Sequence, residues 1–262
     1  MPFRTLIITQ EDCLYLPQFL DTVLRQRRRN VVGITILPSL MPKQTWSSTA
    51  RDHLSLYGPI PFLKQGLRYA SRRVLGMLSE RIPLPGYYSV AATATAHGLE
   101  QVPTKNVNAT EYQDRLRAMN LDLIISINAS QKFRSPLLAL PRLGCINVHG
   151  ALLPRYRGRL PSFWVLANGE AETGTTVHFM NEELDDGPIL LQERVPIEPT
   201  DTQDTLIRKT KTLGARLLVE AIHRLEQGSI ATLPNDRNEA TYYSFPTAQD
   251  GRRLRQLGRR FL

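Results

Sequence analysis

The chain has 262 residues, 42% of them hydrophobic and 22% charged, with a formal charge of +9. That length buries a core without disulfide staples, and the charge suits nucleic acid, an anionic surface or an anionic ligand without choosing among them. The two cysteines, Cys13 and Cys145, lie far apart in apolar contexts, so they read as buried reduced thiols in a cytoplasmic, reducing setting, neither a bridge nor a metal pair.

No stretch approaches the length of a membrane span, and the short apolar run after Arg4 reads as a first strand, not a signal peptide. Runs rich in β-branched residues at 5–8 and 31–37 flank a segment with helical spacing at Leu16, Leu20, Val23 and Leu24. This is a β-α-β start and implies a parallel sheet. Its first turn, Thr9 to Asp12, has two carboxylates and no glycine, a poor cradle for phosphate.

Residues 40–88 break the rhythm. Prolines at 38, 42, 59, 61, 83 and 85 bracket a basic segment with Leu63, Leu67, Ala70, Val74 and Leu78 at helical intervals, which predicts an inserted helical excursion. As a cap on the sheet edge it would bury that stripe; as a lid, partner surface or dimer contact it would not.

The alternation then resumes. Helices are expected near 90–97, 110–119, 135–140 and 161–168, with strands at 121–127, 144–149, 175–180 and 189–195. A long helix opens at Asp201-Thr202 and stops at Gly228, and residues 247–262 form a basic helix with Leu254, Leu257 and Phe261 on one side. The whole is expected to be a single α/β domain spanning 1–262, with a Rossmann-like, mostly parallel sheet and helices on both faces.

In the strand GCINVH, side chains alternate, so Asn147 and His149 leave one face while Ile146 and Val148 enter the core from the other. The acidic loop NEELDDGP would hold a carboxylate at the same sheet edge. A lone strand-end His is more often structural, and a lone acidic turn is usually just solvated. Together, however, Asn, His and Asp make the set that acyl transfer to an amine requires: a donor to the developing oxyanion, an imidazole, and a carboxylate to orient it. No metal cluster, nucleotide loop or Ser/Cys nucleophile setting competes.

The blocks INVHGALLPRYRG (146–158) and TGTTVHFMNEELDDGPILLQ (173–192), followed by the long helix, resemble the folate-dependent formyltransferase family. That family includes glycinamide ribonucleotide, methionyl-tRNA and sugar N-formyltransferases. The resemblance implies a 10-formyltetrahydrofolate donor and the catalytic residues Asn147, His149 and Asp185, with Asp186 at the variable position and so a control for mutation. It implies that Asn147 donates to the formyl oxygen, that His149 assists as an imidazolium, and that Asp185 holds His149 and orders a proton-relaying water. It places the pterin against 128–134 and 182–185, through Gln131, Lys132, Phe133, Arg134, Glu182, Leu184 and Asp185.

The expected acceptor is a small-molecule amine. Glu11 and Asp12 in the first turn suit an uncharged or cationic group, or else cap the first helix, and too few residues follow Gly228 for a tRNA-binding domain. A homodimer is left open. A formyltetrahydrofolate hydrolase with the same triad and a basic nucleic-acid-binding module are the alternatives.

Overall fold

The computed structural model describes residues 3–39, 45–79, 82, 86–229 and 231–262. Strand β1 (Thr5–Gln10), almost entirely buried, lies at the centre of the parallel region and pairs with β2 (Val31–Leu37) on one side and β3 (Leu123–Ile127) on the other. Helix α1 (Leu16–Arg27) makes the first crossover and buries Leu16, Leu20, Val23 and Leu24, the stripe its spacing predicts.

After β2 come α2 (Trp46–Tyr57), α3 (Pro59–Ser79) and α4 (Val90–Ala96), then α5 (Thr110–Ala118) leading into β3. A single turn, α6 (Ser135–Leu138), precedes β4 (Cys145–His149). Beyond it lie β5 (Arg157–Gly158), α7 (Pro161–Ala167), β6 (Glu172–Phe179), β7 (Ile189–Pro196) and α8 (Gln203–Glu226). The two-residue strand β8 (Tyr242–Tyr243) and α9 (Ala248–Gln256) complete the order.

The main sheet runs β2-β1-β3-β4-β6-β7. It is parallel as far as β4 and antiparallel from there, so the expected mostly parallel α/β sheet is what the chain forms. The reversal matters for the site, because it sets Asn147 opposite His178 and His149 opposite Thr176 on neighbouring strands.

Helices cover both faces. One core joins α1, α4 and α8 to the sheet through residues such as Phe19, Val23, Leu218 and Ile222, and the other packs Tyr112, Leu116 and Leu137 from α5 and α6 on the opposite face. A third cluster gathers Leu56, Phe163, Leu206, Leu254 and Phe261 beneath α7 and α9. Leu257, expected on the same side of the C-terminal helix, is exposed. Helix α8 starts with a capping box between Thr202 and Thr205, which satisfies amide groups that would otherwise lack partners.

The excursion after β2 is helical, although Pro42, Pro83 and Pro85, which bracket it in the sequence, lie outside the described residues. Helix α3 buries none of its residues. Leu63, Leu67, Val74 and Leu78 are exposed, so the helix does not cap the sheet edge with its apolar stripe.

The two first-turn carboxylates are capping groups. Asp12 Oδ1 accepts from the amides of Leu14, Tyr15 and Leu16 at the start of α1. Glu11 accepts from Val90 and Ala91 at the start of α4. Both carboxylates therefore serve helix N-termini, which removes the reason for reading them as selectors of a cationic amine.

Candidate active site

Strand β4 delivers Asn147 and His149 to one face at its carboxyl end, and the loop between β6 and β7 brings Asp185 over them. Asp185 sits in the left-handed backbone region at φ 54, a conformation Asp tolerates better than most residues. The loop closes at Gly187, where a Cβ would overlap the carbonyl oxygen of Phe179. Asp185 Oδ2 accepts a hydrogen bond from the Gly158 amide at 2.8 Å. Gly158, at φ 98, can approach only because it lacks a Cβ, which would collide with the Tyr243 carbonyl in the β5–β8 pair.

His149 Nδ1 lies 3.5 Å from Asp185 Oδ2, so the sequence-predicted pair does converge. A second imidazole joins it: His178 Nε2 is 3.6 Å from Asp185 Oδ1 and 3.3 Å from Asn147 Nδ2. The hydrogen-bond network assigns the tautomers. His149 Nε2–H donates to the Tyr156 carbonyl at 2.8 Å, and His178 Nδ1–H donates to the Phe179 carbonyl at 2.7 Å. The remaining ring nitrogens, Nδ1 of His149 and Nε2 of His178, face Asp185, and the latter also lies 3.3 Å from Asn147 Nδ2.

Burial pulls the His149 pKa below its ordinary 6.5; Asp185 opposes that shift, and His178 reinforces it. His149 is therefore neutral at rest, not the imidazolium expected from the resemblance. Burial alone would raise Asp185, but His149, His178 and the Gly158 amide together hold its carboxyl well below the usual range.

Asp186 is no bystander. Its side chain is buried, pairs with Arg157 Nη1 at 2.5 Å, and accepts from Arg237 and Asn181. Arg237, with Asn181 and Arg157, holds this carboxyl down at about 2 against the opposing effect of burial. Asn235 bonds the carbonyls of Asp185 and Gly187 and also accepts from Arg157. The residue expected to serve as a control is thus the anchor of the acidic loop.

The residues expected against the pterin fare unevenly. Phe133 is buried in the α5–α6 core, and both ends of the Gln131 amide are engaged, accepting from the Val107 amide and donating to the Lys105 carbonyl. Neither side chain is therefore free for a ligand, and only their backbone remains. The Lys132 carbonyl and the Arg134 amide bond the Asn108 side chain. Glu182 accepts from the Ser135 amide, tying loop 128–134 to the acidic loop, and Leu184 is exposed at the rim.

Two residues escaped sequence reading. His178 could have been found from strand register, since it faces Asn147 across β4 and β6. Lys211 offered no such signal. It reaches from α8 to donate to Asn128 Oδ1 at 2.6 Å, burial pushes its pKa down to about 8, and its charge adds to the influences that keep His149 deprotonated.

The comparisons with known proteins bear on the family and the fold. Residues 88–222 match the formyl transferase family, and the chain belongs to that family. A methionyl-tRNA formyltransferase from a Synechococcus strain is 38% identical over 191 residues, which is 72% of this chain and 58% of the relative. The chain thus spans less than two thirds of the length of that curated relative.

The fold is shared with glycinamide ribonucleotide transformylase 1 from Symbiobacterium toebii (TM-score 0.59, 19% identity, covering 87% of this chain and 89% of that one). It is also shared with an N-formyltransferase from Helicobacter canadensis in complex with folinic acid and dTDP-3-aminofucose (TM-score 0.58, 16% identity, 92% and 71% coverage). The expectation of a small-molecule acceptor and no tRNA-binding domain is overturned by the curated relatives, which are methionyl-tRNA formyltransferases. The residues read from the sequence as candidates for the reacting bond carry no information about what bears the amine.

Two predictions follow from this geometry. Asp185→Asn, which tolerates the left-handed backbone and still accepts from Gly158, should keep its melting temperature near wild type but lose turnover. Asp186→Ala strands the buried Arg157 and should cost about 3–5 kcal/mol in urea unfolding. Equal stability loss in the two variants would contradict the division of roles. In the pH–rate profile, a depressed His149 pKa keeps the base unprotonated through 6.5, so the acid limb should fall only below that value. An acid limb centred above it would mean His149 rests as an imidazolium.

Proposed function

We propose that this chain transfers a formyl group from 10-formyltetrahydrofolate to the α-amine of an aminoacyl-tRNA. The observation that carries the chemistry is the approach of His149 Nδ1 to the Asp185 carboxylate beside Asn147, at a half-buried strand end opening between loops 128–134 and 182–185. What supports the acceptor is the name borne by the curated relatives together with the charge of +9, which favours a polyanion. The rim suits a folate: exposed Leu184 offers an apolar contact, and the Asn147 amide stands beside His178.

Bound there, 10-formyltetrahydrofolate supplies the electrophilic formyl carbon and the nitrogen that departs. Asn147 turns its Nδ2 from His178 to the formyl oxygen and stabilises the charge that gathers on it as the amine adds. His149 Nδ1 takes the proton from the attacking amine and delivers it to the departing nitrogen. Asp185 stays ionised throughout and stabilises the imidazolium that forms between those two steps. Before the donor binds, His178, fixed by the Phe179 carbonyl, holds Asn147 and faces the second carboxylate oxygen.

The assay uses a formyl-labelled donor with methionyl-tRNA, free methionine and amino-sugar nucleotides as acceptors. Label is expected in methionyl-tRNA, with Asn147→Ala and His149→Ala each lowering turnover on the order of a hundred- to a thousandfold and the double variant losing less than the product. Saturating folate should raise the melting temperature of the wild type and both variants alike. Label confined to a small amine would overturn the acceptor, and the absence of both folate stabilisation and transfer would overturn the chemistry.

A further inference from the structure

Helix α3 turns its apolar side outward. Ile60, Leu63, Leu67, Val74, Met77 and Leu78 recur at steps of three, four and seven along one stripe, and the first three and Met77 are all more than 60% exposed. The opposite side, through Phe62, Gln65, Arg68, Arg72 and Leu75, is half-buried against the rest of the protein. Arg68 there bonds Asp204 of α8 at 2.8 Å, which fixes the helix in this orientation. Ile82, whose amide bonds to the Leu78 carbonyl, continues the exposed surface. From Ile60 to Leu78 the stripe spans roughly 27 Å at the α-helical rise.

The charge on the helix is one-signed. Between Pro59 and Ser79 there are Lys64, Arg68, Arg72 and Arg73 and no acidic residue, and the exposed Lys64 and Arg73 flank the stripe on its two sides. We infer that α3 lies on an anionic lipid bilayer, its apolar stripe in the interface and its flanking cations against the headgroups.

Each half of the pattern excludes a competitor. A second copy paired through the stripe would set the cations of two α3 helices together with no acidic residue of either helix to answer them. RNA would satisfy the cations but leave the row of leucines in water. An anionic membrane surface answers both, because apolar burial and headgroup attraction act on the same helix. Among the described residues no helix is long and apolar enough to cross a membrane, so the contact is peripheral. The inference stands apart from the identity of the acceptor.

The test is co-flotation of the full chain with vesicles of phosphatidylcholine alone or phosphatidylcholine mixed with phosphatidylglycerol. Wild type should float with the anionic vesicles and much less with the neutral ones. Leu67→Glu and Val74→Glu should each lower partitioning by about tenfold or more, since each removes an inserted side chain and adds an opposing charge. Both positions are solvent-facing, so melting temperature and formyl transfer in solution should be unchanged. If either variant melts early, Met77→Gln carries the same test.

The proposal is overturned if wild type ignores anionic vesicles, whether it then binds RNA or self-associates through the stripe. It is also overturned if the stripe variants float as well as wild type, which would leave bare electrostatics as the cause.

Discussion

The site depends on one buried carboxylate held in place without a cation bonded to it. Asp185 is positioned by the Gly158 amide and faced by two imidazoles whose protons are committed elsewhere, to the carbonyls of Tyr156 and Phe179. A negative charge in such surroundings is costly unless something nearby answers it. Here the answer is partial at rest and completed when His149 gains a proton. The carboxylate therefore favours the state in which the imidazole is charged, the state that proton transfer from an amine creates.

Much of the surrounding structure fixes that one group. Gly187 lets the acidic loop turn against Phe179, and the β5–β8 pair brings the Gly158 amide into range. Asp186 is locked by Arg157 and Arg237, and Asn235 binds the loop carbonyls on either side of it. Two adjacent aspartates thus divide the work. One is clamped by guanidinium groups and positions the loop, while the other is held by the Gly158 amide and faced by two imidazoles. Lys211, bonded to Asn128, adds positive potential from α8 without touching the carboxylate.

The sheet and most of its helices were legible because they rest on local patterns, and the approach of His149 to Asp185 was expected from the resemblance. Strand alternation placed two polar side chains on one face, and helical spacing marked α1 and α8. What stayed hidden depends on tertiary pairing. The antiparallel turn of β6 sets His178 beside Asn147, and nothing in TTVHFM distinguishes that histidine from a core residue until the register is known. The role of Asp186 required Arg157 and Arg237, the latter 51 residues away along the chain. Phe133 and Gln131 were expected against a ligand, but their side chains turn inward to the core and to the preceding loop. Glu11 and Asp12 read either as a substrate contact or as caps of the first helix; Asp12 is such a cap, and Glu11 serves α4 instead, a pairing only the fold creates. For α3, spacing predicted the stripe correctly, but its direction, away from the protein, is a property of packing.

The account rests on a resting state in which ionised Asp185 faces a His149 whose pKa lies below its ordinary 6.5. Nitrogen-15 NMR of the histidine rings at neutral pH reads that state directly. The predicted spectrum has His149 protonated on Nε2 alone, with its Nδ1 gaining a proton only below its ordinary 6.5. A doubly protonated His149 at neutral pH, or a neutral His149 carrying its proton on Nδ1, would contradict it.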